Sequence, residues 1–164
     1  MRIRPSSSDD LATILIIESL TSKIPWTEQQ FLSSAEVGHH SVVIEEKEGV
    51  VGFAIYSPIV PESHLLNIAI IPSHQGRGLG RQLLQKIILQ NQLLGVKSLT
   101  LEVRVSNNSA ISLYESEGFL KDAIRPEYYS GVVRDCLLYT SPSPRDQRGS
   151  RNAASGCKKK GGGG

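Results

Sequence analysis

Gln75-Gly76-Arg77-Gly78-Leu79-Gly80 sets three glycines at alternate positions between an apolar run and a helical pattern. Glycine accepts left-handed backbone and lets a chain come close to a ligand, so such a loop can turn several N–H groups toward one point. Leu79, Leu83, Leu84, Ile87 and Ile88 then recur at the spacing of one helix face. The first N–H groups of a helix have no partner inside it, which makes a helix start a natural anion site. Arg77 and Arg81 add positive charge. The chemistry this combination suits is the holding of a pyrophosphate. The run Leu65-Leu66-Asn67-Ile68-Ala69-Ile70-Ile71, closed by Pro72, predicts the buried strand that delivers the chain to the loop.

Two familiar phosphate loops do not fit. A nucleotide P-loop needs Lys followed by Ser or Thr after its last glycine, and Arg81-Gln82 stands there. The dinucleotide fingerprint spaces its glycines G-x-G-x-x-G and places an acid about 20 residues on. Here the spacing is G-x-G-x-G, and residues 95–101 contain no acid. A glycine-rich turn with no ligand is the structural alternative.

The pattern Q-x-x-G-x-G resembles the acyl-coenzyme A loop of the GNAT N-acetyltransferase superfamily. Downstream, Leu99-Thr100-Leu101-Glu102-Val103-Arg104 is followed by Ser106-Asn107-Asn108-Ser109-Ala110-Ile111-Ser112-Leu113-Tyr114-Glu115-Ser116-Glu117-Gly118-Phe119. This resembles the family's more specific stretch L-E-V-R-x-S-N-x-x-A-x-x-L-Y-x-x-x-G-F. With Asn67-Ile68-Ala69-Ile70 before the loop, Tyr128-Tyr129 after this stretch and Pro25-Trp26 near the N-terminus, the resemblance narrows to one bacterial branch. That branch acetylates the N-terminal alanine of a small-subunit ribosomal protein. The resemblance covers roughly residues 1–138. It implies an α/β GNAT acyltransferase fold, a mixed central β-sheet flanked by helices. It also implies acetyl-CoA as co-substrate, no metal, and a ribosomal-protein N-terminus as peptide substrate.

Acetyl transfer from a thioester to an amine requires a positioned coenzyme, a deprotonated amine, a stabilised oxyanion and a protonated leaving sulfur. An α-amine, with a reference pKa of about 7.7–8.0, needs less help from a base than a lysine at about 10.4. The resemblance assigns Gly76, Arg77, Gly78, Leu79, Gly80 and Arg81 to the pyrophosphate. It assigns Ile68, Ala69 and Ile70 to the pantetheine arm, with the Ile70 N–H able to face the oxyanion. Asn107 can cap its own helix, and the resemblance adds a coenzyme contact. Glu102 is the candidate general base, acting through a water; its structural alternative is an ordinary solvent-facing glutamate on a strand. Tyr114 is the candidate general acid for the sulfur, and its alternative is a core tyrosine, although Ile111 and Leu113 can supply a core face instead. Tyr128 and Tyr129 can line the peptide groove or simply pack. Trp26 is expected to staple the second helix.

The chain's 164 residues, 39% hydrophobic, suffice for one domain with a substantial core. No apolar run reaches the ~20 residues of a membrane span, and Met1-Arg2-Ile3-Arg4-Pro5 does not read as a secretory leader. Cys136 and Cys157 form no disulfide framework or metal-ligand spacing. His39, His40, His64 and His74 are scattered and are expected to be surface or structural residues. This usage suits a cytoplasmic protein. The net charge of +2 divides unevenly. Residues 139–164 carry six basic side chains against Asp146 alone, whereas residues 1–138 carry twelve basic and fifteen acidic ones. The mildly acidic body argues against direct nucleic-acid binding and favours a basic polypeptide substrate.

Residues 1–138 are therefore expected to form one GNAT domain, with the last strand cut short or replaced around Tyr139. Residues 139–164, which include Ser141-Pro142-Ser143-Pro144 and the low-complexity run from Lys158 to Gly164, are expected to be a disordered tail. That tail resembles translated sequencing-adaptor read-through. Upstream, Asp9 or Asp10 is expected to cap a helix bearing Leu11, Ile14, Leu15 and Glu18. Thr27-Glu28-Gln29-Gln30 predicts a capping box, and residues 41–47 and 50–56 a hairpin about Glu48-Gly49. A strand at 64–71, a helix to about Leu94 capped by Gly95, a strand at 98–104, a helix near 107–117 and strands near 119–125 and 132–138 follow. Acceptor choice lies in loops 20–40 and 122–134. Lysine, polyamine or antibiotic amines as acceptors, or a non-catalytic acyl-CoA-binding module, are the competing readings.

Overall fold

A computed structural model describes residues 1–129 and 133–142. In chain order these hold β1 (Arg2–Pro5), α1 (Leu11–Thr21), α2 (Glu28–Glu36), β2 (His40–Glu46), β3 (Gly49–Ser57), β4 (Glu62–Ile70), α3 (Leu79–Leu93), β5 (Ser98–Arg104), α4 (Asn108–Ser116), β6 (Leu120–Tyr129) and β7 (Val133–Pro142). The α/β class with a mixed sheet is the one expected. The chain forms two compact units, one of Met1–Pro58 with Leu65–Gln90, the other of Ile59–His64 with the described residues from Asn91 onward. β4 contributes to both.

In the first unit the strand order is β1-β2-β3-β4. β2 and β3 pair antiparallel from His40↔Tyr56 to Glu46↔Gly49, and Gly49, at φ +118°, makes the turn that the Glu48-Gly49 pair predicts. Residues 51–57 of β3 are all buried, so both of its faces are covered. On one of them Ile14 and Ile17 of α1, Phe31 of α2, Val43 of β2 and Phe53 and Ile55 of β3 form a cluster. α2 opens with the expected capping box: Gln30 N–H donates to Thr27 Oγ1 at 3.1 Å, and Thr27 N–H to Gln30 Oε1 at 2.7 Å. Trp26 is the expected staple, its ring 5.0 Å from that of Phe31. Leu79, Leu83, Leu84 and Ile87 are buried, as the α3 stripe requires.

One expectation is corrected here, and one strand is added that the sequence did not announce. Asp10 does not cap α1 through its side chain; its carboxylate instead accepts from the Ser7 N–H at 2.8 Å and from both terminal nitrogens of Arg4 at 2.9 and 3.0 Å. Residues 2–5, which carry no strand pattern, form β1 by pairing antiparallel with β2, from Arg2↔Glu45 to Pro5↔Val42.

In the second unit the order runs from the start of β4 through β5 and β7 to β6. β5 and β7 pair antiparallel, Leu101 facing Tyr139 and Val103 facing Leu137. Directly opposed residues share a face, so these four, all buried, build one side of a core. The strand end expected at Leu138 is corrected as well. β7 continues to Pro142, because Tyr139 occupies the next inward position after Leu137 and is only 1% exposed. Its hydroxyl donates to Glu115 Oε2 at 2.7 Å, fixing β7 to α4. Burial, then the Glu115 carboxylate, push the Tyr139 phenol up to about 12. The proposed tail beyond Pro142 lies outside the described residues, as do the side chains of Tyr128 and Tyr129 and residues 130–132 of the second acceptor loop.

Candidate active site

The glycine loop belongs to the first unit. After β4 the chain makes a short 3-10 turn, Pro72–His74, and then enters the loop. Gly76 and Gly78 adopt φ of +82° and +81°, the left-handed region in which a side chain is strained. A Cβ on either would meet nothing within 4 Å. The loop therefore presents bare backbone beside open space, directly before α3. The Gln82 N–H donates to the Gly78 carbonyl at 3.1 Å, closing the first helical turn. Gln75 turns back, and its Nε2 donates to the Ile70 carbonyl at 2.8 Å. That bond joins the end of β4 to the start of the loop. Open backbone at a helix start is the geometry that a diphosphate group needs, so these residues fit a coenzyme. Ile68, Ala69 and Ile70 lie at the end of β4, immediately before this assembly.

The charges beside the loop come from a part of the chain the sequence did not connect to it. Arg77 Nη1 lies 3.6 Å from Glu46 Oε1, and His74 Nε2 lies 3.1 Å from Glu48 Oε2 and 3.9 Å from Glu46 Oε1. Ser73 Oγ sits 2.9 Å from His74 Nδ1 and fixes the ring. Glu46, Glu48 and His74 thus offer three ligand-type atoms within 4.8 Å of one another, with the Arg77 guanidinium supplying positive charge beside them. His39 and His40 have structural partners in Ser34 and Tyr56.

Gly52 on β3 has a role that its place in the hairpin did not disclose. A Cβ there would lie 2.8 Å from the Ala69 carbonyl oxygen and 2.9 Å from Ile44 Cγ2, and it would also strike Ile70 Cδ1. Only a residue without a side chain lets β3 pass this close to the end of β4.

The proton-transfer candidates belong to the second unit. Glu102 is half-buried on β5 opposite Leu138. Strand alternation sends it from the face opposite to Leu101 and Val103, whose partners Tyr139 and Leu137 share the buried side. Asn107 caps α4 as its sequence predicts, Oδ1 accepting from the Ala110 N–H at 3.3 Å. Tyr114 lies on α4, is 6% exposed and packs its ring 5.8 Å from Phe119. Tyr114 is thus a core residue as well as a candidate acid. Burial raises its hydroxyl above the ordinary tyrosine range, so it keeps its proton at neutral pH.

A glycine loop at a helix start, following a β-strand in an α/β fold, is the setting of a phosphate-bearing ligand, and the coenzyme of an acyltransferase is one such ligand. The model of the acetyltransferase (GNAT) family matches residues 10–119, and the chain belongs to that family. Its members transfer an acetyl group from acetyl-CoA to an amine. The chain is 39% identical over 123 residues, 75% of its length and 83% of the relative's, to the [ribosomal protein bS18]-alanine N-acetyltransferase of Salmonella typhimurium. It is 38% identical over 137 residues to the protein of the same name from Haemophilus influenzae, covering 79% of this chain and 93% of that one. The crystal structure of the ribosomal-protein-S18-alanine N-acetyltransferase from Escherichia coli superposes with a TM-score of 0.80 at 35% identity, covering 86% of this chain and 92% of that one.

Proposed function

We propose that this chain acetylates the α-amine of an N-terminal alanine on a small-subunit ribosomal protein, with acetyl-CoA as donor. The observation that carries the reading is the pair of left-handed glycines, 76 and 78, opening onto free space at the start of α3. The relatives' names supply the acceptor. The excess of acidic over basic side chains in residues 1–138 suits a basic polypeptide, and the place of work for such a substrate is the cytoplasm.

When bound, acetyl-CoA supplies an acyl group activated as a thioester. Gly76, Arg77, Gly78, Leu79, Gly80 and Arg81 would hold its pyrophosphate, and Ile68, Ala69 and Ile70 would hold the pantetheine arm, the Ile70 N–H being the candidate donor to the oxyanion. Asn107 adds a side-chain contact while it caps α4. Glu102 takes a proton from the acceptor ammonium through a water. Tyr114, held protonated by its burial, gives a proton to the departing sulfur.

The test is intact-mass spectrometry of an Ala-starting ribosomal-protein peptide incubated with the purified chain and acetyl-CoA. A single added acetyl group on the α-amine is expected. An N-terminally blocked peptide that still carries lysines should remain unmodified, and its acetylation would replace this acceptor with a lysine.

A further inference from the structure

Glu18 is an acid at a core position. On α1 it continues the Leu11, Ile14, Leu15 stripe and is 2% exposed, whereas the neighbouring Ile16 and Leu20 are more than half exposed. Removing a carboxylate from water costs several kcal/mol unless its oxygens are satisfied, so a glutamate at this depth requires hydrogen-bond partners. Oε2 accepts the backbone N–H of Trp26 at 2.9 Å. Oε1 accepts Nδ2 of Asn67 at 3.1 Å. The Glu18 carbonyl also accepts the Ser22 N–H at 3.0 Å, where α1 ends. One buried residue thus fastens the connection 22–27 to β4, at the position next to Ile68.

What the connection presents outward is apolar and basic. Lys23, Ile24 and Pro25 are exposed, and Ile24 is 47% so. Below them Trp26 rests on Phe31, whose ring lies 5.8 Å from that of Phe53 in the core. An exposed apolar segment held rigidly from beneath is suited to contact with an extended chain. Coenzyme binding has its own anchors, the Gln75–Ile70 bond and the start of α3, which leave Glu18 aside.

We infer that Glu18 is a positioning residue for the acceptor: through Trp26 and Asn67 it sets the 22–27 connection against β4 and so shapes the surface that receives the peptide N-terminus. This rests on the peptide-acetyltransferase reading above. Glu18→Ala removes both bonds and should raise the peptide KM about tenfold or more, leaving the acetyl-CoA Kd within about twofold and kcat at saturating peptide nearly intact. Glu18→Gln should restore the KM, because its amide can still accept from Trp26 and donate to an Asn67 side chain turned over. Asn67→Ala breaks only the link to β4 and should raise the peptide KM several-fold; it carries the test if Glu18→Ala does not fold.

Steady-state kinetics on the full chain with an Ala-starting peptide, beside calorimetry with acetyl-CoA, decides the matter. A wild-type chain inactive on the peptide refutes the acceptor reading itself, whatever the variants do. With an active wild type, a peptide KM unchanged in Asn67→Ala, a coenzyme Kd that rises as much as the KM, or a Glu18→Gln variant as impaired as Glu18→Ala overturns the assignment to Glu18.

Discussion

The proposed role of Tyr114, protonation of the leaving sulfur, requires a hydroxyl that carries its proton throughout the working range, and burial raises this one above the ordinary tyrosine range. Its replacement by Phe should therefore lower kcat by about 10²–10⁴-fold with a flat pH dependence. Glu102→Gln should behave differently: its loss is greatest near pH 6, where few α-amines are free, and it recovers partly toward pH 9 as solvent supplies the nucleophile. Steady-state rates across this range separate the two roles, and full activity of the Glu102 variant would remove it as the base. At Asp10 the linked property is stability. The hydrogen bonds from Arg4 hold its carboxyl below the usual range. A depressed carboxylate contributes stability above its unfolded pKa and loses it as pH falls through the folded value. The melting-temperature advantage of wild type over Asp10→Asn should then be constant from about pH 5 to 8 and shrink below about pH 4. Asp10 also shows what residue type alone conceals. An acid ahead of a helix reads as its cap, but Arg4, fixed by β1, offers a charged partner that wins.

At the scale of elements, the features legible in the sequence were those decided within one or two turns of chain. The Thr27–Gln30 capping box, the Trp26 staple, the Gly49 hairpin and the glycine loop all depend on near neighbours. β1 was not legible, because Arg2-Ile3-Arg4-Pro5 has one apolar side chain and becomes a strand only by pairing with β2. The approach of Glu46 and Glu48 to Arg77 and His74 was hidden for a similar reason: the spacing along the chain does not state which hairpin end meets which loop. Glu18 left a signal, an acid within an apolar helical stripe, that points to a buried partner without identifying it. Two glycines test the element geometry. Gly78→Val strains a left-handed position and fills the open space beside it, so calorimetry should show acetyl-CoA affinity falling at least tenfold with the fold intact. Gly52→Ala should cost about 1–3 kcal/mol in thermal melts, because the Ala69 carbonyl cannot yield as a flexible side chain would. The coenzyme Kd should rise with it, since the displaced backbone is the end of β4.

For the molecule as a whole, β7 carries the described structure past Leu138 to Pro142. Truncation after Leu138 deletes the buried Tyr139 and its bond to Glu115, and should cost about 3 kcal/mol or more in denaturant melts. Truncation after Pro142 should leave the midpoint unchanged, because residues 143–164 show no core-forming period. The place of β7 in the strand order has a further consequence for synthesis. It is made after both of its neighbours, β5 and β6, yet it lies between them. A nascent chain halted before Val133 holds two strands whose shared partner does not yet exist, and each keeps a raw edge able to pair with another chain. The second unit can close only when β7 has left the ribosome, the particle whose protein this enzyme is proposed to modify.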